Sequence, residues 1–204
     1  MLDNPIRDRR AERRAATTSE ILATAWELAG AEGLAALSLR DLARRVGMQA
    51  PSLYSYFESK HAIYDAMFAQ GAREFLEVQE ALVLTGDPQH DLKAGMHGFV
   101  NFCTSNPVRY QLLFQRTIPG FEPSAESFAI SIQGLEATRA HLAGMGFTDP
   151  AVLDLLTAIG TGLTDQQISN DPGGDRWIRL VDEAMEMFFA HVSNRKKPKR
   201  GARK

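Results

Sequence analysis

The chain has 204 residues, 44% of them hydrophobic, enough to bury one large core or two small ones. Its single cysteine, Cys103, excludes an intrachain disulfide and a thiolate zinc site, and the absence of an apolar leader or an eighteen-residue apolar run argues against secretion and membrane insertion. The net charge of −2 hides an asymmetry, because residues 61–194 carry seven Lys/Arg against seventeen Asp/Glu while both ends of the chain are basic, a balance suited to touching a polyanion only at selected surfaces.

Residues 1–16 read as a flexible basic arm holding Arg7, Arg9, Arg10, Arg13 and Arg14. Thr17 and Glu20 form a capping box that opens a helix through Ile21, Leu22, Ala25, Leu28 and Ala29 to Gly33. From Ser38 to Lys60 the chain reads SLRDLARRVGMQAPSLYSYFESK. Ser38 and Asp41 suit a helix N-terminus, and Leu39, Leu42, Ala43 and Val46 share one helical face. Gly47 supplies the positive φ that ends this helix, and Pro51 suits the start of the next. Leu53 and Phe57 turn that second helix onto the core, leaving Gln49, Ser52, Ser55 and Tyr56 outside. Two short helices joined by a glycine turn are the build of a helix-turn-helix, whose second helix enters the DNA major groove.

Ser59 caps a longer helix carrying Ile63, Met67, Phe68, Phe75, Leu76 and Val78, expected to run to about Gly86. Asp87-Pro88 opens the next, with Leu92, Met96, Phe99, Val100 and Cys103 inward, and Asn106-Pro107 stops it. A short helix through Tyr110, Leu113 and Phe114 precedes a Pro/Gly loop from Ile118 to Ser124. Further helices are expected over about 125–145, from Asp149-Pro150, and from Trp177 to Val192 after the NDPGGD break. The fold class is all-α, with about nine helices and no strand alternation. The domains are expected at 17–62 for DNA binding and 63–194 for ligand binding and dimerisation, followed by a basic disordered tail at 195–204. Their boundary lies within the helix after Lys60.

The stretch from Thr17 to about Phe68 resembles the DNA-binding domain of the TetR family of bacterial transcriptional regulators. The resemblance rests on TSEILATAWELAGAEG, then LSLRDLARRVG, then APSLYSYFESK ending at Lys60. It implies that Arg40, Tyr54, Tyr56 and Lys60 hold phosphates and that bases are read from Gln49 to Ser55. The residues fit that reading. Gln49 can bridge adenine N6 and N7, Ala50 or a methylene of Ser52 or Ser55 can lie against a thymine methyl, and Lys60 joins the free amides of a helix start to hold a phosphate. Arg44 and Arg45 are further backbone candidates, against a reading in which they form only a solvated face.

The family's second domain encloses a ligand pocket, and large soft residues are expected to line it here: Met96, Phe99, Val100, Phe114, Phe128, Ile132, Leu156 and Ile159. Close packing is the competing explanation for them, as it is for Gly160 and Gly162. The dimer is expected to form through the last two long helices, using Leu156, Leu163, Val181, Met185 and Phe188. No nucleophile elbow, P-loop or HExxH motif occurs, so catalysis, metal and cofactor are not expected. The sequence thus points to a cytoplasmic transcriptional regulator, a repressor, associated with the nucleoid when on DNA. It would bind a palindromic double-stranded operator as a homodimer and be released from it by a small apolar effector. The alternatives are a helical small-molecule-binding protein with a vestigial DNA-binding domain, and an all-α enzyme, which needs a polar constellation that the second domain does not show.

Overall fold

The computed structural model describes residues 9–196, with side chains described as far as Asn194. The first eight residues of the expected arm and the tail beyond Lys196 lie outside the described residues. Within them are nine α-helices, two 3-10 turns and no strand. The order is α1 (Arg9–Glu32), a 3-10 turn (Leu34–Ala36), α2 (Leu39–Arg45), α3 (Ala50–Leu53), α4 (Lys60–Glu80) and α5 (Pro88–Ser105). Then follow α6 (Pro107–Phe114), α7 (Ala125–Gly144), α8 (Pro150–Asn170), a second 3-10 turn (Ile178–Leu180) and α9 (Val181–Lys196).

Two compact units divide this chain. One holds the residues up to Gly71 together with Gln111–Phe128, and the other holds Ala72–Tyr110 and the residues from Ala129 onward. The division therefore falls later in α4 than residue 62, and it assigns the end of α6 and the start of α7 to the first unit. Sequence periodicity cannot show this, because it reports which face of a helix is apolar and not which neighbour covers it.

The helix starts follow their caps. The Ser38 hydroxyl accepts from the Asp41 amide at 3.4 Å, Ser59 from Ala62 at 3.1 Å, Asp87 from Gln89 at 3.0 Å and Asp149 from Ala151 at 3.0 Å. Three boundaries differ from expectation. α1 begins at Arg9, so the arm is helical well before Thr17: Ala11, Arg13, Arg14, Ala15 and Ala16 all favour helix and nothing in the stretch breaks it. α4 stops at Glu80, where Leu82, Val83 and Leu84 lead into a loop held by Asp91. The Asp91 carboxylate accepts from the Thr85 amide at 2.8 Å, the Thr85 hydroxyl at 2.7 Å and the Gly86 amide at 3.2 Å. Those bonds, the Thr85 amide first, hold its carboxyl below the usual carboxylate range. The last helix begins at Val181, preceded by the 3-10 turn rather than starting at Trp177.

In the second unit, α5, α8 and α9 bury Leu92, Met96, Val100, Val152, Leu153, Leu156, Val181, Met185, Phe188 and Val192 together. Cys103 is fully buried, and burial pushes its thiol pKa up, which makes it a small core residue and not a nucleophile. Gly160 lets α8 lie close on α5. A Cβ at this position would stand 3.0 Å from the Met96 sulfur and 3.2 Å from the Phe99 ring. Alanine normally gains about 1 kcal/mol over glycine inside a helix. At Gly160 overpacking offsets that gain, and Gly160→Val is expected to destabilise the protein by about 1–3 kcal/mol, read as a lowered urea midpoint.

Candidate nucleic-acid interface

The site is built on the turn between α2 and α3. Gly47 takes φ +72°. The Gly47 amide donates to the Arg44 carbonyl at 3.2 Å and the Met48 amide to the Ala43 carbonyl at 2.8 Å. This double closure satisfies the last carbonyls of α2 and reverses the chain. α3 starts three residues later from Gln49, whose extended backbone forms the N-cap and whose side chain makes no capping bond. Pro51 falls at the second helical position, not the first, and its missing N–H still costs nothing there. Leu53 and Phe57 are buried beside Leu42 and Ala43, and full burial of Leu53 contributes about 1.5–3 kcal/mol.

The opposite side faces solvent. Gln49, Ser52, Ser55 and Arg40 are exposed, Ala50 is half-buried, and Tyr54 is 54% exposed, which removes the reading in which it packs inward. The Ser55 hydroxyl donates to the Ser52 carbonyl at 2.7 Å, leaving its oxygen free to accept. Arg44 is exposed and pairs with Asp41 at 2.8 Å.

Lys60 is the first residue of α4. Its ammonium donates to the Ala35 carbonyl at 2.9 Å, lies 5.5 Å from the centre of the Tyr64 ring, and has its pKa lowered by burial. An ammonium carries three donors, so the Ala35 bond orients the group and leaves others for a phosphate. Ser59 takes the Ala62 amide, and the preceding amides of the first turn remain at the same helix end.

Sequence reasoning missed two supports. Tyr64, buried in α4, donates its hydroxyl to the Leu34 carbonyl and stacks edge-on against Phe121 at 5.6 Å. Its spacing from Met67 and Phe68 places it on the inner face of α4, a signal that the periodicity contained. Arg14 donates to the Ser55 carbonyl at 2.8 Å and holds its guanidinium 4.9 Å from the centre of the Tyr56 ring. That contact joins residues 41 apart, and no local pattern announces it.

The expected pocket and dimer residues are distributed differently. Met96, Val100 and Leu156 are core residues of the second unit, and Phe99, Ile132 and Ile159 are half-buried there. Phe114 and Phe128 belong to the first unit and are exposed. A shallow, open groove of about 430 Å³ lies between α5 and α9, lined by Gln89, Lys93, Glu186, Phe189, Ala190 and Ser193. Leu156, Val181, Met185 and Phe188 cannot form a dimer face, since α5, α8 and α9 already cover them within one protomer. Leu163 is half-buried. The outward residues of α8 and α9 include Thr157, Ala158, Gly162 and Met187, the last 67% exposed, alongside polar ones such as Asp154, Gln166, Asp182 and Glu183.

Among the described residues no group of three or more His, Cys, Asp or Glu could hold a metal, and no helix is long and apolar enough to cross a membrane.

Comparison with known proteins places this geometry. Residues 21–67 match the sequence profile of the bacterial regulatory proteins of the tetR family. The transcriptional activator FasR of Mycolicibacterium smegmatis is 26% identical over 142 residues, 62% of this chain and 65% of that protein. The transcriptional regulator EthR of the same organism is 33% identical over 92 residues, 43% of this chain and 42% of its own length. The chain thus spans less than two thirds of either relative. A protein of unknown function from Rhodococcus sp. RHA1 shares the fold at a TM-score of 0.75, with 17% identity over 86% of this chain and 94% of that one.

The burial of Tyr64 generates a pH dependence. Its pKa is pushed up to about 12 from about 10 by desolvation, so the folded state keeps the proton longer than the unfolded chain does. The stabilisation is complete below about pH 10 and is lost as pH rises towards about 12. Tyr64→Phe is expected to flatten this alkaline fall in denaturant titrations. At neutral pH it should cost about 0.5–1.5 kcal/mol, the net contribution of one hydrogen bond, because the Leu34 carbonyl keeps the Leu37 amide as a donor.

Proposed function

We propose that this chain, which belongs to the tetR family of bacterial regulatory proteins, binds a palindromic DNA operator as a homodimer and is released from it by a small, largely apolar effector. The observation that carries the reading is the helix-turn-helix face itself. Gln49, Ser52, Tyr54 and Ser55 stand exposed on an anchored turn, and Lys60 lies oriented at a helix start. A vestigial domain would have no use for this arrangement. In the reading, Lys60, Arg40, Tyr54 and Tyr56 hold phosphates while Gln49, Ala50, Ser52 and Ser55 meet base edges.

Occupying an operator that overlaps a promoter represses. The relative FasR is an activator; for this chain we propose repression. The effector part rests on the second unit. On α8 the hydroxyl of Thr164 is fully buried without a hydrogen-bond partner. A buried unsatisfied hydroxyl is costly, and a ligand's polar group that engages it recovers that cost. Coupling of about 1–3 kcal/mol between effector and operator is sufficient, since it changes affinity roughly 5- to 150-fold.

Selection of DNA from a random pool, followed by salt titration, tests the interface. Lys60→Ala is expected to weaken all sequences alike and to lower the slope of log K against log salt by about 2 for the dimer. Gln49→Ala and Ser52→Ala should leave the slope unchanged and relax one or two positions per half-site by about 1–3 kcal/mol each. If the roles are exchanged, the recognition element has been misplaced.

The dimer is assigned to the small outward face of α8 and to Met187 of α9. Gly162 has nothing within 4 Å of where its Cβ would stand, which leaves room for a second helix. Sedimentation at micromolar concentration should give a dimer for the native chain. Ala158→Asp or Met187→Glu should shift it to monomer, whereas a dimer indifferent to both would place the contact elsewhere.

A further inference from the structure

We propose that Arg14 is a positioning residue for DNA recognition: it fixes the outer end of the recognition helix and the ring of Tyr56 before DNA arrives. The inference rests on the DNA-binding reading above. α3 has only four helical residues, and the turn from Tyr54 to Tyr56 continues it without further helix. On the inner side that turn is held by Leu53 and Phe57, both buried. Nothing apolar holds the outer side, where Tyr54, Ser55 and Tyr56 must stay accessible.

Arg14 supplies the outer hold. Its Nη2 donates to the Ser55 carbonyl at 2.8 Å, a charge-assisted bond at the carbonyl-rich end of the helix. The same guanidinium lies 4.9 Å from the centre of the Tyr56 ring, within the range of a cation–π contact. A planar, permanently charged group can make both contacts at once. Arg14 reaches them because α1 begins at Arg9, so the residue stands on a helix and not on a loose arm. The consequence is pre-organisation: the ordering of Tyr56 and of the Ser55 backbone is completed in the free protein and does not weigh against binding.

Operator affinity, salt slope and base preference are to be measured for the full chain and for Arg14→Ala, Arg14→Lys and Tyr56→Leu, with helicity and thermal midpoint as controls. Arg14→Ala is expected to stay folded, because its side chain is exposed, and to bind operator about tenfold more weakly, the lower end of a charge-assisted bond converted to affinity. Its salt slope should match the native one, unlike that of Lys60→Ala. Arg14→Lys should recover affinity to within about threefold, since the ammonium keeps the charge over the ring and one donor. In the Tyr56→Leu background the cost of Arg14→Ala should fall to about threefold, marking the two residues as coupled. Native affinity in Arg14→Ala overturns the proposal. So does a slope lowered by about 2 with equal loss on all sequences, which would make Arg14 a direct phosphate contact. Unfolding of both Arg14 variants would also overturn it, by making the residue a stability element. If the native chain selects no operator, the DNA-binding reading itself fails; if it does and the Arg14 variants bind alike, only this inference fails.

Discussion

A helix of four residues has no stability of its own. Forming a first turn fixes three residues for one hydrogen bond, and isolated helices shorter than about twelve residues are marginal in water. α3 therefore exists only because its surroundings hold it, and much of the first unit can be understood as that support. Gly47 reverses the chain so that α3 lies across α2. Leu53 and Phe57 fasten the inner side, and Arg14 reaches the outer one. Tyr64 and Lys60, at the head of α4, tie down the Leu34 and Ala35 carbonyls and so fix the connection that delivers α2. A short recognition element held on several sides can present polar side chains rigidly without spending them on its own folding.

Charge is divided in the same sense. Between His61 and Asn194 acids outnumber bases seventeen to seven, so attraction to a polyanion has to come from the residues on either side of that span. The acids of the second unit serve its architecture. Asp87 and Asp149 cap helices, Asp91 closes the loop between α4 and α5, and Glu186 and Asp182 meet Lys93 and His97 across α5 and α9. Exposed pairs of the last kind contribute little to stability, typically below about 1 kcal/mol. Their acids still lower the local potential that a phosphate backbone would meet.

The parts of this fold that were legible in the sequence are those fixed by local chemistry. Ser38, Ser59, Asp87 and Asp149 announce helix starts because capping is settled within three residues. Gly47 announces the turn because only glycine takes its φ without strain. The exposed face of the helix-turn-helix followed from the same register. What was not legible depends on partners distant in the chain. Val181, Met185 and Phe188 have the spacing of an apolar stripe, and the sequence alone cannot say whether a second protomer or α5 of the same one covers it. Arg14 carries no mark that separates it from the other arginines of its stretch until α1 is seen to continue back to Arg9.

The two glycines of α8 show how one helix can be built for two neighbours. Gly160 and Gly162 stand about 200° apart around an α-helix, so a role for one implies nothing for the other. The Cβ position of Gly160 is crowded by Met96 and Phe99, so this glycine permits a close crossing inside the protomer. Gly162 meets nothing, and with Ala158 one turn earlier it makes a small-residue face on the outward side of α8. Such a face favours close approach of another helix, and in the proposed dimer that helix is its own symmetry mate. Two-fold symmetry then has a consequence at the other end of the chain. A single four-residue helix can read only a few base pairs, whereas two held in one particle add their half-site energies on one operator. On the proposed reading, the second unit's packing would in this sense be a condition for the specificity of the first.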